Sequence, residues 1–527
     1  MTLSPPPHGR TRVDLRASFE WRGPNARGCL ALSWIAFAVY ALLLTLALGA
    51  REFWTDEIVS AGHVSHWVYT DDPFHPRAYY VLLYGWKLIF GDGDLALRAF
   101  SIPWALAAFW LLTAIGKRLL DHRALILGQW LFALSPYVIL YFRMARFYSM
   151  VTAVALAVAY CAVLVLQEGR RRHWTALAAG ALALLFTNYS AAAMLVLLFA
   201  VLLFAALIPP ARRHRHLGRL ALCVLPTAVA AAIIVHGMGG EPILIRTIET
   251  GLQSSVAMRI VSRLALPLYA LALGETTDPW RLYVTLPALA AAAVALVLGL
   301  AARRQKPGYA LIAGAWPVVV VASAAILVFA APAEPLASAT RISLFSAPLA
   351  YLAMASGLRQ IRRGSLRVLL VLILFGADLY GLGNCFHGRQ FLNPSFVVPW
   401  REIGATIERQ QRPDDIAVAY YDSTIKRYAA LPNFIDGRPD YFPELLAPVD
   451  EWPKCGCRLW LIARDRGSAE ARRLQQGVID RLTPLASKVT VTPFMPYTPT
   501  ERKWRGLFLG QDIPDAYVKI YLFEPPR

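Results

Sequence analysis

No internal repeat runs through the 527 residues, no low-complexity tract interrupts them, and no glycine-rich loop of the kind that cradles phosphate is present. Transporters built from related halves carry such repeats and bury ionisable groups near mid-bilayer. Here the single charge well inside an apolar run is Asp378, close to that run's end. A polytopic transporter or lipid-linked glycan flippase is therefore the alternative rather than the leading reading. Cysteine is scarce at six residues, and three of these lie in or beside apolar runs as small hydrophobes. Cys455 and Cys457 are one residue apart, a poor zinc spacing and a tight fit for a mutual disulfide, so Cys385 stands as the other partner for either. Acid is outnumbered, with 34 Asp and Glu against 53 Lys and Arg. The resulting +19 would suit nucleic acid, but the basic residues sit in short clusters between apolar blocks, as topology signals do.

Apolar residues make up 57% of the chain and fall in runs long enough to cross a bilayer, at about twenty residues a span. Runs near 31–50, 96–116, 124–141, 147–166, 174–187, 191–208, 219–237, 281–301, 309–331, 342–358 and 367–383 predict a polytopic α-helical membrane protein of about eleven spans. Alternate connections carry the basic clusters, among them Lys117 with Arg118, "EGRRRHW", "ARRHRHLGR" and "LRQIRRGSLR", and these belong in the cytoplasm with the basic N-terminus at 1–29. The other connections face outward. An odd number of spans sends the C-terminus to that side as well.

From residue 384 to 527 proline, charge and alternating patterns replace the apolar runs. "PWREIGATIERQQ" and "SAEARRLQQGVIDRL" read as helices, and "IAVAYY", "RLWLIA" and "YVKIYLFE" as strands, which makes a C-terminal soluble α/β domain outside the membrane. The outward segment 57–90 is too aromatic and broken for a clean span and predicts helices lying on the membrane surface, and 259–273 reads the same way.

Chemistry concentrates on the outward side. In "REFWTDEIVS", Asp56 and Glu57 follow the first span by a few residues, at a depth where ionised groups are costly unless paired. Their plain role would be to start a helix whose dipole favours acid. In "SPYVILYFRMARFYSM", Arg143 and Arg146 occupy an outward turn where cations are disfavoured, so the turn calls for an anion or an acidic partner. Arg341 lies at the outer end of a late span, a few residues after Glu334. The stretch 71–101 holds His75, Arg77, Tyr79, Tyr80 and a "GDGD" sequence at 91–94 that reads as a turn, not a cation loop. His63 and His66 have metal spacing but no evident further ligands.

"FWTDE", "HPRAYYVLLYGWKLIFGDGDLALRAFS", "RMARFYSM" and "TRISLFSAPLAYLAMASGL", in this order, resemble the GT-C integral-membrane glycosyltransferases. Within them the chain is most similar to the bacterial branch related to protein O-mannosyltransferases and to the lipid A aminoarabinose transferase. The resemblance covers roughly 30–385 and implies a GT-C-like catalytic module at 30–383 followed by the extracytoplasmic domain at 384–527. It implies that Asp56 is the catalytic base with Glu57 as a possible auxiliary, and that Arg146 and Arg341, supported by Arg143, contact the donor phosphate. His75, Tyr79 and Tyr80 would meet substrate, although Arg77 replaces a family proline in "HPRAYY". The donor would be a sugar on a polyprenyl phosphate, the acceptor a hydroxyl of a lipid, glycan or protein, and the location the bacterial cytoplasmic membrane. No cofactor is required by this chemistry, while the adjacent carboxylates leave room for a divalent cation.

Overall fold

The computed structural model describes residues 26–64, 77–188, 192–207, 213–237, 256–302, 308–325, 327–328, 338–420, 423–431, 433–437, 452, 455–465, 469–509 and 513–525. Its first part is a bundle of α-helices. These are α1 (Ala26–Thr45), α2 (Thr55–His63), α3 (Arg77–Phe90), α4 (Asp94–Ala99), α5 (Ser101–Leu119), α6 (His122–Leu134), α7 (Pro136–Phe142) and α8 (Tyr148–Glu168). They continue as α9 (Arg171–Thr187), α10 (Ala192–Leu207), α11 (Arg213–Gly237), α12 (Val256–Leu273), α13 (Leu282–Ala301), α14 (Tyr309–Ala325), α15 (Ser338–Ser343), α16 (Ala347–Gln360) and α17 (Gly364–His387).

Each of the eleven apolar runs falls on one or more of these helices, but fewer of them have the length of a span. Among the described residues five helical stretches are long and apolar enough to cross a membrane: Gly28–Thr45, Asp94–Leu119, Tyr148–Glu168, Leu282–Ala301 and Gly364–His387. The count becomes six when α6 and α7, bent by 55° at their junction, are taken as one. Met194–Leu203, Leu217–Ile233, Ile260–Leu273 and Tyr309–Ala325 are shorter apolar helices. At about 1.5 Å per residue these apolar stretches fall below the roughly 30 Å hydrocarbon thickness, although α11 as a whole, with 25 residues, does not. The chain is a multi-pass membrane protein, and the described helices do not confirm the count of eleven spans.

The bend between α6 and α7 has a local cause. Ser135 caps α7, its hydroxyl accepting from the Val138 N–H at 3.2 Å, and Pro136 occupies the first turn, where its missing N–H costs nothing. Elsewhere helices pack by contact of small residues. Gly357 on α16 lies so close to α13 that an added Cβ would stand 1.9 Å from the Ala295 carbonyl oxygen, and a Cβ on Gly299 would stand 2.2 Å from the Ala353 oxygen. Such backbone approach is how helices associate where lipid supplies no hydrophobic drive.

Of the segment 57–90, α2 and α3 are described. The second buries Tyr79 and Leu83 and leaves Leu88, Ile89 and Phe90 on the surface, an amphipathic arrangement. The stretch 259–273 lies in α12, which is packed against α13, α15 and α17 within the bundle.

The C-terminal part adds α18 (Trp400–Glu408), α19 (Ala469–Leu482) and α20 (Pro499–Leu509) around a five-stranded sheet. Its strands β1 (Ile416–Tyr420), β2 (Phe434–Gly437), β3 (Leu459–Arg464), β4 (Lys488–Pro496) and β5 (Ala516–Glu524) run in the order β2-β1-β3-β5-β4. The first three pair in parallel and the last two pairings are antiparallel. Trp400, Ile403, Trp460 and Val518 belong to its core. Cys455 and Cys457 form a disulfide, and Cys385, buried near the end of α17, is free.

Gly357→Ala should force α13 and α16 apart and lower the stability of the purified chain by about 1–3 kcal/mol, the range for overpacking. A melting temperature in detergent checks this, and an unchanged value would contradict the close packing.

Candidate active site at the start of α2

Three segments far apart in sequence converge on Asp56. Trp54 has extended backbone and precedes α2, so Asp56 and Glu57 fall in the first turn, where the helix dipole favours acid. Arg146 comes from the turn between α7 and α8, and Arg341 from α15. Asp56 Oδ2 lies 3.3 Å from Arg341 Nη1 and 4.0 Å from Arg146 Nη2. Arg146 is 5% exposed, and its Nη1 also donates to the Asp56 carbonyl at 3.2 Å, the Ser60 hydroxyl at 3.2 Å and the Tyr80 hydroxyl at 3.0 Å. Arg341 stacks on Trp54, with its guanidinium carbon 4.8 Å from the ring centroid, and approaches Phe396 at 5.9 Å. One carboxylate thus faces two guanidiniums, leaving one positive charge over. The Nε atoms of both arginines are buried without an acceptor among the described residues. Buried donors left open in this way favour a further anion.

Glu57 sits beside Asp56 in sequence and away from it in role. It is 1% exposed. Its Oε1 accepts from Arg98 Nε and the Ala145 N–H, both at 2.8 Å, and its Oε2 from Arg98 Nη2 at 2.6 Å and the Trp54 N–H at 3.4 Å. Arg98 in turn donates to the carbonyls of Leu48, Arg51 and Glu52. With both oxygens spent, Glu57 has none to offer a substrate as an auxiliary to Asp56. It ties the end of the first span, α4 and the Arg146 turn together.

The other expected residues divide. Tyr80 reaches the site through Arg146. Tyr79 is fully buried, its ring set edge-on against Tyr80, Phe100 and Phe147, and it belongs to the core beneath. His75, His66 and Glu334 lie outside the described residues. Arg143 is turned away from Asp56: its Nη2 donates to the Leu46 carbonyl at 2.5 Å and its guanidinium stacks on Phe386. It lines a separate cavity of about 90 Å³ with Arg51, Arg98 and Glu57.

One carboxylate went unnoticed in the sequence. Glu275, in the turn between α12 and α13, is 1% exposed, accepts from the Tyr141 hydroxyl at 2.8 Å and from Thr340, and has its second oxygen unpartnered among the described residues. Burial pushes its carboxyl up, against the pull of Thr340 and of the Arg341 guanidinium. Its only sequence signal is a carboxylate next to an apolar helix, which many turns share. Among the described residues no three His, Cys, Asp or Glu side chains gather to hold a metal ion.

Residues 74–238 match the family described as dolichyl-phosphate-mannose-protein mannosyltransferase, a stretch that begins after Asp56 and ends before Arg341. ArnT from Cupriavidus metallidurans in the apo state superposes with a TM-score of 0.55 at 11% identity, covering 93% of this chain and 98% of that one. The same protein bound to undecaprenyl phosphate gives 0.52 at 11% identity, with 95% and 98% covered. The archaeal oligosaccharyltransferase AglB from Archaeoglobus fulgidus, in complex with an inhibitory peptide and a dolichol-phosphate, gives 0.50 at 12% identity, with 91% and 74% covered. No curated protein matches the sequence. The chain shares the fold of ArnT and of AglB, the kind of fold that the resemblance in the sequence implied.

Glu57→Gln keeps the shape of the side chain and removes the charge opposite Arg98. Breaking one side of a buried pair costs about 3–5 kcal/mol, so the variant should unfold at a markedly lower temperature than the parent chain. Equal stability with lost activity would instead give Glu57 a chemical role.

Proposed function

On this fold we propose that the chain moves a sugar from a polyprenyl-phosphate donor to a hydroxyl acceptor at the outer face of the cytoplasmic membrane, with inversion at the anomeric carbon. The observation that carries the reading is the sharing of Asp56 between Arg146 and Arg341. A base for the acceptor and two cations for the leaving phosphate stand together at one end of the bundle.

In the displacement, the acceptor oxygen forms its bond to the anomeric carbon as the bond from that carbon to the phosphate oxygen breaks, and the acceptor proton passes to Asp56. Before the donor arrives, the guanidiniums pair with Asp56. Once the phosphate is present they have a second anion, and the Asp56 carboxylate, with 28% of its side chain exposed, is open to the hydroxyl. A fixed cation about 4 Å from the departing phosphate contributes roughly 4 kcal/mol at an effective dielectric near 20. Placing the donor's lipid tail in the bilayer puts the reacting carbon at headgroup depth, which suits a site that follows the first span by a few residues. The similar structures hold undecaprenyl phosphate in ArnT and a dolichol-phosphate in AglB, and both support a lipid-linked donor here.

The side chains around Asp56 do not fit a divalent cation, because Asp56 faces guanidiniums and the neighbouring Glu57 is spent on Arg98.

Asp56→Asn should lower transfer at least about a hundredfold. Mass spectrometry of envelope lipids and glycans from cells carrying the parent chain or the variant checks this: a glycosylated species present with the first should be lost with the second. Identical profiles would contradict the role of Asp56. Arg341→Ala should chiefly raise the amount of polyprenyl-phosphate sugar needed for half-maximal transfer in membranes, whereas a shift confined to the acceptor would remove it from the donor site.

A further inference from the structure

The "GDGD" turn, plain in the sequence, is the point at which the C-terminal domain grips the membrane module. Its last residue, Asp94, starts α4 and has a side chain 10% exposed. Oδ1 accepts from Arg427 Nε at 2.8 Å, and Oδ2 accepts from the Tyr428 hydroxyl at 2.8 Å and from Arg401 Nη2 at 3.2 Å. All three donors belong to the C-terminal domain. The Tyr428 hydroxyl in turn accepts the Phe53 N–H at 2.6 Å. Arg401 also approaches Glu52 at 3.7 Å, and Arg464 at the end of β3 donates to the Thr55 hydroxyl at 2.9 Å. The Phe53 ring takes guanidiniums from both parts, Arg427 at 4.8 Å and Arg98 at 4.9 Å from its centroid.

Residues 52, 53 and 55 are therefore each bound to the C-terminal domain, and the next residue is Asp56. We propose that Asp94 and Tyr428 are positioning residues: the C-terminal domain, latched on Asp94, holds residues 52–55 so that the Asp56 carboxylate meets Arg341 and Arg146, and transfer depends on that docking. The short helix α4 braces the arrangement, since its two ends carry Asp94 for the latch and Arg98 for Glu57. A misplacement of about 1 Å at a reacting group can cost a hundredfold in rate, so a latch that holds Phe53, three residues before Asp56, is close enough to govern turnover. This inference rests on the glycosyl-transfer reading for its consequence, though not for its geometry.

The full chain in detergent or membranes tests it with two readouts. Tyr428→Phe removes the single hydroxyl that joins Asp94 to the Phe53 N–H and leaves both ion pairs of Asp94 in place; Asp94→Asn keeps size and removes those pairs. Hydrogen exchange of a peptide covering residues 50–58 should quicken about tenfold in Tyr428→Phe and more in Asp94→Asn, with exchange in β3 and β5 unchanged. Transfer should fall about tenfold in turnover while the donor requirement stays at the parent value, the opposite split from Arg341→Ala. Unchanged exchange in both variants would overturn the latch whatever the activity does. Faster exchange with undiminished turnover would overturn the positioning role. If the parent chain transfers no sugar, the functional reading fails separately, and the exchange result alone decides whether the latch exists.

Discussion

A partly exposed carboxylate set against largely buried arginines is tolerable while their cations share its charge, and that constraint organises the region around Asp56. Desolvation penalises each ion, so Arg146 and Arg341 and the Asp56 carboxylate stabilise one another where none would be favourable alone. The pairing leaves one positive charge and two buried donors open. Buried donors of that kind favour a further anion.

Bringing the three groups together needs rigid neighbours, and Glu57 supplies much of that rigidity. Its four accepted hydrogen bonds connect the loop before α2, Arg98 on α4 and the turn that presents Arg146. Adjacent acids in one helical turn thus divide their work, since successive residues on a helix point about 100° apart. Asp56 looks to the arginines and Glu57 looks inward. Trp54 and Phe396 complete the wall, their rings edge to face at 4.7 Å and both within reach of the Arg341 guanidinium.

Much of this was legible in the sequence because charge on the outward side of a membrane chain is conspicuous. Asp56, Arg146 and Arg341 stood out for that reason, and α18, α19 and three of the five strands followed from periodicity, whereas α20 did not. What escaped depends on tertiary contact. Arg143 looks equivalent to Arg146 in "RMARF", yet one residue ends α7 and the other precedes α8, and they diverge. Glu275 meets Tyr141 across 134 positions of sequence. The strands β2 and β4 are the sheet's edges, one only four residues long and the other carrying Pro493 and Pro496, which an edge tolerates and a pattern search discounts. The count of eleven spans is not confirmed, because several of the apolar runs form described helices whose apolar stretch is shorter than a full crossing. The "GDGD" turn was read correctly as local structure, but its partners Arg401, Arg427 and Tyr428 lie over 300 residues away.

The account's central claim is that Arg146 and Arg341 receive a lipid phosphate beside Asp56. An experimental structure of the chain with a bound polyprenyl phosphate tests it most directly. The account predicts phosphate oxygens within about 3 Å of guanidinium nitrogens of both arginines, with the lipid tail running into the bilayer and the Asp56 carboxylate facing open space on the acceptor side. A phosphate seated elsewhere, with Asp56 still closed against both arginines, would contradict it.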